Sequence, residues 1–281
     1  MKKLFPLLLG VLLLVGCSTK FSYHFLDWAI EWEVEDYVTL NDEQEKAFEA
    51  LVDKFVVWHQ KEELARYAAQ LESLATAIND HSLTPQMWAR HIAQAKAHWF
   101  RLFEYALPDL LPLVASFSDA QVGEIIGVLR KNERELVGEY AGKTQLQLVA
   151  DSDARLTEQF DDWLGSVSEA QQALIHQYNS QRLATLDMWL EYRHEWLRQF
   201  EQALAQRQDR ALLSERLTLL MTRPDELKSE VYKVKLQQNT ENFGAMLLAV
   251  SQTLSAKQAK HFNKKLNKLI KDLIELNQEA F

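Results

Sequence analysis

Cysteine is nearly missing from this sequence. Cys17 stands alone among 281 residues, so no disulfide can form within the chain. Glycine and proline are sparse too, with eight and five copies, which leaves little of the turn chemistry that a sheet-rich fold or long loops require. Strand-like alternation is nearly absent, and beyond residue 15 no apolar run is long and charge-free enough to cross a bilayer. Positive charge is in deficit: 31 lysines and arginines face 40 acidic side chains, a formal net charge of −9. That balance argues against nucleic acid as a partner, because such binding needs cations to displace phosphate counterions.

Chemical signatures are missing in the same way. His194-Glu195 begins the dipeptide of a zinc helix, but Arg198 stands where the second histidine belongs. His91 and His98 are separated by about 10 Å of helix rise, too far to share one ion. No serine sits in a glycine-flanked elbow. Carboxylate pairs such as Glu31 with Glu35 and Asp161 with Asp162 read as solvated helix faces. These absences lead us to expect no metal, no cofactor and no catalytic centre.

The amino terminus is informative. Lys2 and Lys3 precede an almost unbroken apolar run over residues 4–15, and residues 1–16 read as a signal peptide. As a helix that run rises only about 18 Å, against the roughly 30 Å of a bilayer core. It ends in Leu14-Val15-Gly16-Cys17, which resembles the bacterial lipobox. The resemblance implies cleavage before Cys17 and a diacylglyceryl group on its thiol. Ser18 after the cysteine resembles lipoproteins sent to the outer membrane, so the expected address is that membrane's periplasmic face. Loss of Lys2 and Lys3 with the leader would take the net charge to −11. Residues 17–22 form a tether that reaches only about 20 Å when extended, which keeps the body near the lipid.

From residue 23 onward the pattern is helical. Trp88, Ile92, Ala95, Trp99, Leu102 and Ala106 recur at steps of four and three, and Phe262, Leu266, Leu269, Leu273 and Leu276 do the same. The periodicity predicts helices near residues 23–38, 42–58, 60–79, 85–106, 119–140, 144–165, 169–208, 210–222, 225–253 and 256–279, with a connector at 108–116. The fold class is all-α, an elongated bundle of long antiparallel helices. In the first helix Phe21, Phe25, Trp28 and Trp32 form one stripe and Leu26, Ile30, Val34 and Tyr37 another. We expect it to be sandwiched in the bundle, because Asp27 and Glu31 beside the aromatic stripe would repel anionic headgroups.

Helix starts share one design: an apolar residue, a capping residue, two variable positions and a glutamine. The copies are Leu40-Asn41-Asp42-Glu43-Gln44, Phe117-Ser118-Asp119-Ala120-Gln121, Val167-Ser168-Glu169-Ala170-Gln171 and Leu254-Ser255-Ala256-Lys257-Gln258. Each is a capping box, in which the short side chain accepts from the third helical amide and the glutamine reaches back to the cap's own amide. Leu83-Thr84-Pro85-Gln86 is a degenerate fifth start. The glutamines stand 77 residues apart in the first two boxes and 87 in the last two. That spacing suggests a duplication, with one half spanning 23–116 plus 117–165 and the other 166–281.

Two resemblances follow from these motifs. The lipobox, Leu26-Asp27-Trp28 with Tyr37-Val38, Trp58-His59 with Glu63-Leu64 and Tyr67, and Arg155 followed by Trp163-Leu164-Gly165 resemble a proteobacterial lipoprotein family that carries only a domain-of-unknown-function label. It implies location and fold, but no activity. The repeated box is also similar to the Leu-Thr-x-x-Gln motif of the Spy- and CpxP-like periplasmic chaperones, which would imply client binding on a concave face.

Three residue groups are candidates for partner binding. Trp58, His59, Arg66 and Tyr67 combine rings with charge, as do Trp189, Tyr192, Arg193 and Trp196. Lys257, Lys260, Lys264, Lys268 and Lys271 make a basic stripe opposite the last leucine seam, suited to headgroups, to an acidic partner or to the acidic amino-terminal helices. The expected function is a membrane-anchored binding, scaffold or chaperone-like protein of the envelope, holding a protein or peptide partner without catalysis. Alternatives are an envelope hydrolase acting on peptidoglycan or lipid, and a carrier of a small hydrophobic ligand.

Overall fold

The computed structural model describes residues 19–279, and the chain is all-helical, with no strand among the described residues. Residues 1–16, read above as a signal peptide, and Cys17 lie outside the described residues. The helices are α1 (Thr19–Tyr23), α2 (Leu26–Glu35), α3 (Asp42–Trp58), α4 (Leu64–Asn79), α5 (Pro85–Ala115), α6 (Asp119–Tyr140), α7 (Gln145–Leu164), α8 (Glu169–Gln181), α9 (Leu186–Ala205), α10 (Arg210–Thr222), α11 (Glu230–Gln252) and α12 (Ala256–Gln278). A π turn, His59–Glu63, fuses α3 to α4, and a 3-10 turn, Pro224–Leu227, precedes α11.

Helix starts follow the sequence closely. Asn41, Ser118, Ser168 and Ser255 each cap a helix in a complete box with Gln44, Gln121, Gln171 and Gln258. A further box that the pattern search missed joins Thr144 to Gln147, where Lys143 replaces the apolar staple. Thr84 accepts from the Met87 amide, with Pro85 at the first helical position.

Packing centres on α5, which contacts α3, α10 and α11, while α12 lies along α4 and α7. In the main core the seam of Leu266, Leu269, Leu273 and Leu276 meets Val52, Val56, Leu64 and Ala68. Burying side chains of this size stabilises by about 2 kcal/mol each. A second cluster joins Leu107 to Ala203, Leu213, Leu217 and Leu220, and a third joins Leu164 and Ile175 to Met246 and Val250.

Three segments depart from the sequence reading. The expected connector at 108–116 is helix, because α5 runs to Ala115 through Pro108 and Pro112. Each proline removes one intrahelical hydrogen bond, yet Leu107 and Leu113 are buried and Leu111 and Val114 pack on the second core, so burial on both flanks holds the segment helical. The expected helix over 169–208 is broken at residues 182–185. Asn239 of α11 makes that break stable, its Oδ1 accepting from the Leu183 amide at 2.9 Å and its Nδ2 donating to the Leu183 carbonyl at 3.0 Å. Neither glycine nor proline marks the site, which is why periodicity ran through it.

The third departure concerns α1 and α2, which are not sandwiched. Leu26 is buried and Ile30 and Val34 pack on the main core, but Phe21, Phe25, Trp28 and Trp32 face outward at 60, 48, 60 and 40% exposure. The body covers one stripe of this short helix and leaves the aromatic one outside.

Candidate functional site

The π turn builds the most polar part of the interior. Widening the helix by one residue lets His59, Gln60 and Glu63 all turn inward, a use typical of such turns. The carbonyls of Gln60 and Lys61, freed from the regular ladder, accept from Asn277 Nδ2 at 2.8 and 2.9 Å. Gln60 Nε2 donates to the Leu276 carbonyl at 2.7 Å, so the end of α12 is locked to the turn.

Glu63 is 1% exposed and its carboxylate is fully engaged. Arg101 of α5 grips it with Nε at 2.9 Å and Nη2 at 2.7 Å. Burial alone would raise the carboxyl, but the hydrogen bonds and charge of Arg101 outweigh it and hold Glu63 below the usual carboxylate range. His98 Nδ1 lies 2.5 Å from Arg101 Nη2, and its Nε2 lies 2.8 Å from Gln70 Oε1. The guanidinium has no acceptor capacity, so Nδ1 accepts and Nε2–H donates to Gln70, the neutral tautomer. Burial, the largest cause, lowers His98 accordingly.

His59 is held between two phenols. The Tyr23 hydroxyl lies 2.8 Å from Nδ1 and the Tyr67 hydroxyl 3.2 Å from Nε2, so one donates to the ring and the other accepts from it. Burial pushes this imidazole down to about 4 and pushes both phenols up. The arrangement is sealed and internally satisfied.

Of the first candidate group, His59 and Tyr67 therefore belong to one network. Arg66 sits at its exposed rim, donating Nε–H to the Glu62 carbonyl at 3.0 Å and pairing more loosely with the Glu63 carboxylate at 3.7 Å. Trp58 turns away and stacks on Tyr105 at 4.1 Å between ring centroids. Sequence reasoning missed Tyr23, Gln70 and Arg101. The spacing of His98 and Arg101, three residues apart on one helix face, was the available signal.

The second candidate group divides around α9. Trp196 is a packing residue, stacked on Phe200 at 5.1 Å and donating Nε1–H to the Leu220 carbonyl at 3.0 Å. Tyr192 meets Tyr232 with Lys228 Nζ 5.1 Å from its ring. Trp189 and Arg193 form a cation-π pair at 5.4 Å, and Trp189 faces a cleft.

That cleft has a volume of about 800 Å3 and opens among α5, α6, α7, α8, α9 and α11. Its apolar walls are Trp88, Tyr140, Tyr178, Trp189 and Phe243. The rings brace one another: Trp88 and Tyr178 pack on Phe243 at 5.6 and 5.3 Å, and Tyr140 meets Trp189 edge-on at 5.9 Å. Lys143 is paired with Asp151 at 2.7 Å. Arg155 donates to the buried Ser152 hydroxyl at 3.4 Å and lies within electrostatic range of Asp151, and Arg182 lies beside the Tyr178 hydroxyl; neither guanidinium has a carboxylate within 4 Å among the described residues. The loop pinned by Asn239 forms part of the rim.

The lysine stripe does not dock on the acidic amino-terminal helices. Lys257, Lys260, Lys264, Lys268 and Lys271 are all exposed, and two of them bond along their own helix, Lys268 to Asp272 at 3.4 Å and Lys271 to Glu275 at 3.5 Å. The charge pairing between the chain ends runs the other way, with Lys20 of α1 bonded to Glu275 at 3.2 Å and to Glu279.

A family model described as a family of unknown function (DUF6279) matches residues 36–233, well over half of the chain. The chain belongs to that family. The match includes the Glu63 network except Tyr23, and all of the cleft except the part of α11 beyond residue 233. It leaves out α12, and with it Gln258 and the lysine stripe. No curated protein and no solved structure matches the chain. The likeness to the Spy and CpxP chaperones thus rests on the glutamine boxes alone.

Proposed function

We propose that this chain is a lipid-anchored protein of the cell envelope, on the periplasmic face of the outer membrane, that binds an amphipathic anion in the cleft without transforming it. The observation that carries the reading is the meeting, in one open space of about 800 Å3, of aromatic walls with Arg155 and Arg182, neither of which is held in a close ion pair, since the nearby Asp151 is taken up by Lys143. A volume in that range suits a small ligand rather than a folded client. An acidic group entering between the arginines would replace weak neutral contacts with charge-assisted ones. The apolar body of the ligand would lie on Trp88, Trp189 and Phe243. In the strongest titratable cluster the Glu63 carboxylate is buried and fully bonded, which supports a structural duty for it.

The anchor part rests on the leader and on Cys17, and growth with labelled palmitate tests it: the label is expected on the wild-type chain and not on C17A. The ligand part is tested by native mass spectrometry of the chain purified from membranes. We expect a co-purifying acidic small molecule that is lost in a variant carrying R155A and R182A. A bare mass for the wild-type chain, together with equal binding of a fluorescent fatty acid by both forms, would overturn the reading.

A further inference from the structure

We propose that the outward face of α1 and α2 is a membrane-seating surface, immersed in the interfacial layer of the bilayer that holds the anchor. Phe21, Phe25, Trp28 and Trp32 follow one another at steps of four, three and four and stay 40 to 60% exposed although the body covers the opposite stripe. They are arranged as two ring pairs, Phe21 with Phe25 at 5.0 Å and Trp28 with Trp32 at 6.2 Å. Tryptophan gathers where bilayer meets water, because its ring is apolar and its N–H remains polar. A contiguous aromatic face of this kind marks an interaction site on a soluble body.

The position in the chain selects lipid as the occupant. Phe21 follows Cys17 by four residues, and with α1 beginning at Thr19 the span is at most about 10 Å, so a lipid on that thiol brings the face to the bilayer surface. This step rests on the anchor reading given above. The charges near the face are disposed to permit contact. Lys20 is drawn back to Glu275 and Glu279; Glu31 is influenced by Glu49 and Asp53 of α3 and by Asp27 and Glu35 beside it, and Asp27 accepts from the Trp28 amide at 2.8 Å, so the acidic groups bordering the face select a zwitterionic rather than an anionic headgroup layer. The ends of the chain are tied together at this point, since α1 packs on α12 and Tyr23 is bonded to His59. Seating would therefore fix the orientation of the body, as well as its distance from the membrane.

The test uses the full processed chain reconstituted in phosphatidylethanolamine vesicles whose acyl chains carry bromine, a short-range quencher. An environment-sensitive dye is attached through W28C, and a second preparation carries the dye through L146C, at a position 82% exposed on α7. At least threefold stronger quenching at position 28 is expected. Serine at Phe21, Phe25 and Trp32 in the W28C chain is expected to lower that quenching to the level of position 146. Equal quenching at both positions, in a chain whose Cys17 is shown by mass analysis to carry lipid, would overturn the proposal. Absence of lipid on Cys17 would instead remove the anchor reading, so the two failures are separable.

Discussion

Gln171 and Gln258 exchange amide hydrogen bonds across the joint between α8 and α12: Gln258 Nε2 donates to Gln171 Oε1 at 2.8 Å, and Gln171 Nε2 donates back at 3.4 Å. Gln44 and Gln121 do the same between α3 and α6, at 2.6 and 3.4 Å. Each Oε1 also accepts from the amide of its own capping residue, so one side chain closes a helix start and fastens it to a second. Each Nε2 finds a further acceptor: Ser116 for Gln44, Thr39 for Gln121, Thr253 for Gln171 and Ser166 for Gln258.

The pairing makes the glutamines more than local caps. Gln171→Ala is expected to cost about 2 kcal/mol, because it leaves buried donors and acceptors unsatisfied besides removing a cap. A double-mutant cycle with Gln258→Ala, read from urea unfolding, should give a coupling of about 1 kcal/mol. Gln147→Ala, whose box is exposed and bonds only to its own Thr144, should cost less than half as much as Gln171→Ala.

Stability should fall on acidification through His59. Its folded value of about 4 lies below the ordinary 6.5, so the unfolded chain binds the proton first. The contribution is fully present above pH 6.5, is lost as pH drops toward 4, and amounts to about 3 kcal/mol. His98, also lowered, acts in the same sense, and Glu63 extends the loss below pH 4.5, where its unfolded carboxylate takes up a proton. Urea midpoints measured from pH 7 to pH 4 should decline steeply for the wild type and less for His59→Asn. Glu63→Ala should cost about 3 kcal/mol at pH 7, since it strands Arg101.

Two glycines offer opposite outcomes. A methyl group at Gly244 of α11 would come within 2.8 Å of Trp88 Cδ1 and 3.0 Å of its Cβ, so Gly244→Ala must displace a wall of the cleft. The strain should outweigh the gain in helix propensity and leave a net loss of about 1 kcal/mol. Gly127 of α6 has nothing within 4 Å of that position, and Gly127→Ala should stabilise by about 0.8 kcal/mol. Thermal melting of both variants checks the pair.

If the cleft is the binding site, removal of its charge and of its ring should separate in effect. R155A with R182A should weaken an acidic amphipathic probe about tenfold or more and leave its uncharged ester nearly unaffected. W189A should weaken both. Equal losses for the acid and the ester in the arginine variant would mean that the guanidinium groups act only by packing.

Much of the fold was legible because its signals are local. Apolar periodicity and capping chemistry act within a few residues, so α3, α6, α8 and α12 begin at Asp42, Asp119, Glu169 and Ala256, just after the caps at Asn41, Ser118, Ser168 and Ser255. The site was less legible. His59 and Tyr67 were singled out together, but Arg101, Gln70 and Tyr23 reach the network from other helices. The aromatic group on α9 was recognised by residue type, whereas the helix faces that sort Trp189 toward the cleft and Trp196 into the core depend on where α10 and α11 pack.

The residues by themselves determined that this chain is helical and where most helices start, since those outcomes follow from propensity and from hydrogen bonds between near neighbours. Tertiary structure alone decided that α5 continues through two prolines, that Asn239 opens a loop at residues 182–185, that four glutamines meet as two pairs, and that the aromatic stripe running over α1 and α2 stays outside. Each of those depends on a partner distant in the chain, whose burial or hydrogen bond outweighs the local preference.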